Sequence, residues 1–290
     1  MNKQRKVKWR SLYMIMQRNR LVLLISILFL FSCNTPRYIY APSVPNNPYF
    51  TEKGQAKLSA YYSAGGNSNP RDDEKNRGFD LQGAYAIGDN WALTVGYFNR
   101  RERDVYPHYD YNFFDSSVLN YKRNVMDIGG GYFLPLDRGK NVSVNLFGGV
   151  GFGKFSFTDR GVDKSGLAYS RFHSSRIVKW YAQPSLNALP GRYFRASFIF
   201  KLSFVHYGNI STSYTSDELN YFSLDKIKGK TIFYFEPAFN MQLGIPDCDW
   251  MKIDGGLNFA TDPYRNNTRI EARSFNAFIG LCFDLSALKK

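Results

Sequence analysis

The 290-residue chain predicts an all-β fold, a ten-stranded antiparallel β-barrel that crosses a membrane with its strands. Three observations carry this. Aromatic residues make up 17% of the chain beside 24 glycines, a pairing that soluble domains seldom use. Mean hydropathy is −0.38, and the one continuous apolar run, residues 21–31, is shorter than the roughly 20 residues a spanning helix needs. From Gly54 onward, apolar and polar residues alternate with a period of two. Strands with lipid on one face and a polar interior on the other read this way.

The ten segments are read in order. The first sets Leu58, Ala60 and Tyr62 against Lys57, Ser59 and Tyr61. The second sets Phe79, Leu81 and Tyr85 against Asp80, Gln82 and Ala84, and the third Trp91, Leu93, Val95 and Tyr97 against Thr94 and Gly96. The fourth sets Met126, Ile128, Tyr132 and Leu134 against Asp127, Gly129 and Gly131. The fifth sets Val142, Val144, Leu146 and Phe152 against Ser143, Asn145 and Gly151. The sixth carries Val178, Trp180 and Leu186 on one face, with Lys179, Tyr181 and Gln183 on the other. The seventh is the clearest, with Phe194, Phe198, Phe200, Leu202 and Phe204 against Arg195, Ser197, Lys201 and Ser203. The eighth sets Phe233, Phe235, Phe239 and Met241 against Tyr234, Glu236 and Asn240. The ninth sets Ile253, Leu257 and Phe259 against Lys252, Asp254 and Asn258, and the tenth Ile279, Leu281 and Phe283 against Asn276 and Gly280.

Connections alternate too. Short turns fall near 87–90, 135–140, 187–192 and 246–249. Longer polar connections are expected at 64–78, 99–123, 159–173, 207–229 and 260–270. Short periplasmic turns and long extracellular loops are the habit of outer-membrane barrels. An even strand number places both chain ends on the periplasmic side. A soluble sandwich or lipocalin-like barrel is the competing fold. Several strands of 11 or more residues, with so many aromatics on the apolar face, argue against it.

Net charge is +14, but seven of the 38 basic residues and none of the 24 acidic ones precede the apolar run, so the remainder carries only +7. A nucleic-acid partner loses its support. The N-terminus has a basic region, an apolar stretch and a small-residue boundary, the three parts of a signal peptide. Met14 or Met16 would start a signal of more usual length. Leu30, Phe31, Ser32 and Cys33 resemble a bacterial lipobox, with Phe31 where a small residue is commoner. This divides the chain into a signal peptide at 1–32, a lipidated extended tether at 33–53, a barrel at 54–285 and a tail at 286–290. Cys33 becomes the lipid-bearing first residue of the mature protein. The absence of acidic residues after it favours the periplasmic leaflet of the outer membrane. Pro36, Pro42, Pro45 and Pro48 extend the tether, and Tyr38, Tyr40, Tyr49 and Phe50 are expected to dock part of it at the barrel mouth.

Taken together, the lipobox, the Pro/Tyr-rich leader and the ten-strand pattern resemble Bacteroidetes-type outer-membrane β-barrel lipoproteins, a group mostly of unassigned function. The resemblance implies a Gram-negative cell-envelope location and brings no catalytic residue with it. Gly280, Phe283 and Leu285 resemble the terminal signal read by barrel-assembly machinery, although the chain runs on to Lys290. Implied partners are outer-membrane lipids, the barrel-assembly and lipoprotein-sorting machinery and an envelope protein complex.

Six charged residues are expected to face inward near mid-height: Asp80, Asp127, Lys179, Lys201, Glu236 and Asp254. The expected register sets Lys201 beside both Lys179 and Glu236. Such a layer either neutralises a filled lumen or lines a narrow solute or ion path. Cys248 and Cys282 are expected opposite each other on the last two strands, where an oxidising periplasm permits a disulfide. His108, with Asp110, and His173, with Ser175, fall near the expected rim and offer the residue types of a hydrolase acting on peptide or lipid. No cofactor motif and no metal-ligand cluster appears. The leading expectation is a non-enzymatic barrel with a structural or interaction role. A narrow pore and a rim-located hydrolase are the alternatives.

Overall fold

The computed structural model describes residues 37–66, 75–106, 117–162, 166–191, 193–261 and 270–287. Ten strands close into an antiparallel barrel: β2 (Ala56–Gly66), β3 (Lys75–Ala86), β4 (Trp91–Tyr106), β5 (Ser117–Pro135), β6 (Val142–Val162), β7 (Ala168–Ala188), β8 (Phe194–Thr212), β9 (Thr231–Ile245), β10 (Cys248–Phe259) and β12 (Phe275–Asp284). Neighbours in sequence are neighbours in the barrel, and β12 closes on β2 from Phe275↔Gly66 to Asp284↔Lys57. Two short strands, β1 (Arg37–Tyr40) and β11 (Ile270–Ala272), pair in parallel with each other.

The alternation read from the sequence is the alternation of the barrel wall. Trp91, Leu93, Val95 and Tyr97 are exposed while Ala92, Thr94 and Phe98 are buried. Leu146, Phe152, Trp180, Phe198, Phe200 and Phe204 are likewise exposed. Such a continuous apolar outer surface is far larger than water tolerates on a monomer. On β6 it runs from Val142 to Phe152. Eleven residues tilted at about 40° span roughly 25 Å, the height of a hydrocarbon band.

The strands are longer than expected. Residues 100–106, 117–122, 159–162 and 168–172, expected in loops, continue as strand. The reason is an inversion of pattern above the apolar band. There Arg101, Arg103, Lys122 and Lys154 face out, and Leu119, Tyr121, Phe155, Phe157, Val205 and Tyr207 face in as an apolar core. The connection from β8 to β9 caps this core with a short helix, α1 (Ser216–Tyr221), followed by a 3-10 turn whose Leu224 and Ile227 are buried. Thr215 and Glu218 form a reciprocal capping box at its start.

The opposite end is closed by tight turns. In one, the Asp137 carboxylate accepts from the Val142 backbone N–H at 2.8 Å, and that bond holds its pKa below the usual carboxylate range.

The leader departs most from expectation. Residues 37–50 are neither a tether nor a partial dock at the mouth. They run through the lumen and are buried almost throughout. Arg37 meets Asp159 near the long-loop end of β6, whereas Phe50 packs edge-to-face on Phe133 beside the short turns. Gly54 and Gln55 then bond to Ala86, and β2 climbs back. The described chain therefore starts at the long-loop end and finishes, after β12, at the short-turn end.

Candidate functional site

The lumen is the place where polar chemistry gathers, and the leader occupies it from end to end. In the upper part, Arg37 donates to Asp159 at 2.8 Å and lies 3.8 Å over the Phe222 ring. Asp159 also accepts from the Tyr214 hydroxyl at 2.6 Å and from Ser117. Arg273, just before β12, donates to Glu102 at 2.9 Å and to both oxygens of Asp104 at 2.6 and 2.7 Å. Its guanidinium lies 3.8 Å over the Tyr38 ring. Burial alone would lower the Arg273 pKa, but the carboxylates of Glu102 and Asp104 outweigh it and hold the pKa above its ordinary value. Arg123 pairs with Glu102 at 2.6 Å and donates to the Tyr38 carbonyl.

At mid-height, Tyr40 stacks on Tyr234 with centroids 4.0 Å apart and donates to Glu236 at 2.9 Å. The Val44 N–H donates to Asp80 at 3.2 Å, and Gln82 donates to the Val44 carbonyl at 2.7 Å. Lys201 donates to the Ser43 hydroxyl at 3.2 Å. Lower down, Asn47 bonds to Asn187, Asn145 and Ser185 at 2.7, 3.1 and 2.9 Å, and the Tyr49 and Ser197 hydroxyls lie 3.1 Å apart. Ser43 and Val44, adjacent in the leader, thus reach opposite walls, Lys201 on β8 and Asp80 on β3.

Little space remains. A cavity of about 20 Å³ sits beside Ser43, Val44, Asp80 and Lys201, room for about one water. A larger one, about 270 Å³, opens at the short-turn end between Glu52, Gln55, Arg195, Lys252 and Asp284.

All six expected lumen charges lie on the inward face, but they do not form a ring: within the six, only Lys179 and Asp127 form an ion pair. Asp254 accepts from Tyr61 at 2.8 Å and lies 3.9 Å from Lys57. Lys201 is opposite Glu236, as expected. Lys179 is not beside Lys201: it is opposite Val205 and pairs with Asp127 at 2.7 Å. Gly151 makes that pair possible. The register runs Asp127, Gly151, Lys179 across β5, β6 and β7, and a Cβ on Gly151 would collide with the Asp127 carboxylate. Gly151→Val is expected to cost about 1–3 kcal/mol by overpacking alone, read as a lower urea midpoint in detergent micelles.

Cys248 and Cys282 are both free thiols. Cys282 faces Lys252, and an irregularity separates Cys248 from that register. Four residues along a strand is roughly 13 Å, beyond a disulfide's reach. The expected pairing fails because the turn joining β9 to β10 shifts the register.

His173 and Ser175 share the inward face of β7, as i and i+2 must, yet both are buried. The His173 ring stacks on Phe157 at 5.4 Å, and neither its nitrogens nor the Ser175 hydroxyl has a hydrogen-bond partner. Nothing there activates a hydroxyl. His108 and Asp110 lie outside the described residues, as does Cys33. No group of His, Cys, Asp and Glu suited to a metal occurs among the described residues.

Sequence reasoning missed the upper cluster of Arg37, Arg123, Arg273, Glu102, Asp104 and Asp159. The signal was present in Arg100, Glu102, Asp104 and Tyr106, which alternate with Arg101, Arg103 and Val105.

No protein-family model matches the chain, and no curated protein matches it. Among solved structures, the chain is similar to the translocator domain of the autotransporter NalP from Neisseria meningitidis, at 11% identity, covering 95% of this chain and 97% of that one, with a TM-score of 0.43. It is similar to the outer membrane protease OmpT from Escherichia coli at 12% identity, covering 80% and 94%, with a TM-score of 0.38. It is also similar to Ail, the attachment invasion locus protein of Yersinia pestis, at 13% identity, covering 80% and 99%, with a TM-score of 0.31.

Proposed function

We propose that this chain is an outer-membrane β-barrel lipoprotein, acylated at Cys33, with a structural or interaction role in the cell envelope and no enzymatic activity. The single observation that carries the reading is the leader. Its backbone and side chains engage Asp80, Gln82, Glu236, Lys201, Asn145 and Asn187, so these polar lumen groups are turned to the protein's own chain. The exposed apolar band supports the membrane location, and the habit of outer-membrane barrels to keep short turns on the periplasmic side supports assigning that end to the periplasm. Partners on this reading are outer-membrane lipids, the barrel-assembly and lipoprotein-sorting machinery and other envelope proteins. The stacked, unpartnered His173 gives no support to a hydrolase.

In planar bilayers, the purified full-length protein is expected to give no steady conductance steps. Steady steps would replace this reading with that of a narrow pore.

A further inference from the structure

The direction of the leader bears on where the N-terminus emerges. Arg37 is held at the level of Asp159, seven residues above Phe152, the last exposed apolar residue of β6. From there the leader descends in order. Tyr40 meets Glu236, Val44 meets Asp80, Asn47 meets Asn187, and Phe50 meets Phe133. Cys33 precedes Arg37 by four positions, and four steps of extended chain reach at most about 14 Å. The hydrocarbon band alone is about 25 Å thick. The periplasmic leaflet is therefore beyond the reach of Cys33. We propose that the leader is threaded outward through its own barrel, so that the acyl-bearing N-terminus stands at the cell surface while the C-terminus stays in the periplasm. The proposal rests on the outer-membrane reading above and adds the path of the leader to it.

The test uses the full chain in a Gram-negative host, with one epitope inserted between Thr35 and Pro36 and another after Lys290. Intact cells are expected to bind antibody to the first epitope, and to bind antibody to the second only after permeabilisation. Labelling of neither epitope, or of both, on intact cells overturns the threading. A second variant, Asn47→Cys with Ser185→Cys, guards against an inserted tag that disturbs folding. The cross-link is expected to form in cells without added tag, and its absence in folded, heat-modifiable protein counts against the threaded leader. The mass of the N-terminal peptide reports acylation separately: an unmodified Cys33 with a surface-labelled N-terminus removes the lipid and keeps the path.

A different observation carries a second inference. Just above the apolar band, Arg77, Arg101 and Lys122 lie directly opposite one another across β3, β4 and β5, and Lys154 and Arg176 do the same across β6 and β7. All five are exposed. Phe79, Tyr97, Met126 and Phe152 sit below them on the same outer face. The outward positions of β3 to β7 carry no acidic residue. Like charges placed opposite each other in a sheet are destabilising, so the arc has no benefit to the fold. We infer that it binds the phosphorylated headgroups of lipids in the surrounding leaflet.

Native mass spectrometry of the full-length protein with lipid A, phosphorylated or dephosphorylated, tests this. Wild type is expected to retain the phosphorylated lipid preferentially. Neutralising three cations (Arg101→Gln, Lys122→Gln and Lys154→Gln together) is expected to weaken that retention about a hundredfold, at roughly fivefold per charge. Equal retention of the two lipids, or a triple variant that binds like wild type, overturns the assignment. Full displacement by inorganic phosphate overturns it too, since the arc would then be a plain anion site.

Discussion

Deletion of residues 37–50 is expected to turn a closed barrel into a conducting one. In planar bilayers the full-length protein should be silent, and the deletion variant should show steady steps of uniform size. The leader is the only described segment that crosses the lumen. Its four aromatic residues, Tyr38, Tyr40, Tyr49 and Phe50, are each nearly fully buried there. Aromatic side chains bury about 150–250 Å² each, so their removal leaves a continuous gap. A milder variant separates loss of the plug from loss of fold. Tyr40→Ala removes the stack on Tyr234 and the bond to Glu236. It should cost about 3–5 kcal/mol on the scale of large aromatic truncations, read by urea unfolding in micelles, while the barrel stays closed. A deletion variant that folds, as judged by heat-modifiable migration, yet remains silent would show that the wall side chains alone seal the lumen.

Arg273→Ala is expected to be the most destabilising single substitution. The guanidinium is 1% exposed and joins Glu102 to Asp104. Removing it leaves two buried carboxylates: Glu102 keeps its pairing with Arg123, and Asp104 loses the guanidinium that held both of its oxygens. Breaking a buried ion pair from one side costs about 3–5 kcal/mol, because the stranded charge has lost both water and partner. The same urea midpoint measures it. Arg273→Ala combined with Glu102→Gln and Asp104→Asn should recover a large share of the loss. If the triple variant is no more stable than the single one, the cost lies in the lost stack on Tyr38 and not in the stranded charge.

The lower barrel was legible in the sequence because lipid outside and polar lumen inside produce an alternation visible in any window of eight residues. Leu146, Phe152 and Trp180 announce the wall at once. The upper barrel was not, because the sense of the alternation reverses there. Lys122 and Lys154 outside, with Tyr121 and Phe155 inside, look like polar loops to a reader tracking outward apolar residues. The leader was misread for a related reason. Its prolines suit a tether, but an exposed tether has no use for Tyr38, Tyr40, Tyr49 and Phe50, and those four residues were the sign of burial. Individual charges such as Asp80 and Glu236 were placed correctly on the inward face. Their partners were beyond reach, since Val44 and Tyr40 belong to a segment without alternation, and the Lys179–Asp127 pair depends on a side chain that Gly151 lacks.

The closure of β12 on β2 joins the two ends of the barrel sequence around the leader. Lys57 and Asp284 meet across that seam, at the two extremes of the barrel sequence. The water-sized gap at mid-height is what remains beside the seated leader, so a wall that closes with the leader in place is wrapped tightly around it. Contacts so remote in sequence form slowly. The leader shortens the search, because it touches an early strand at Asp80, a middle one at Asp159 and a late one at Glu236. It has the place of a mandrel: it precedes every barrel strand in the chain, offers each hairpin a surface to curl against, and is locked inside where the last strand meets the first.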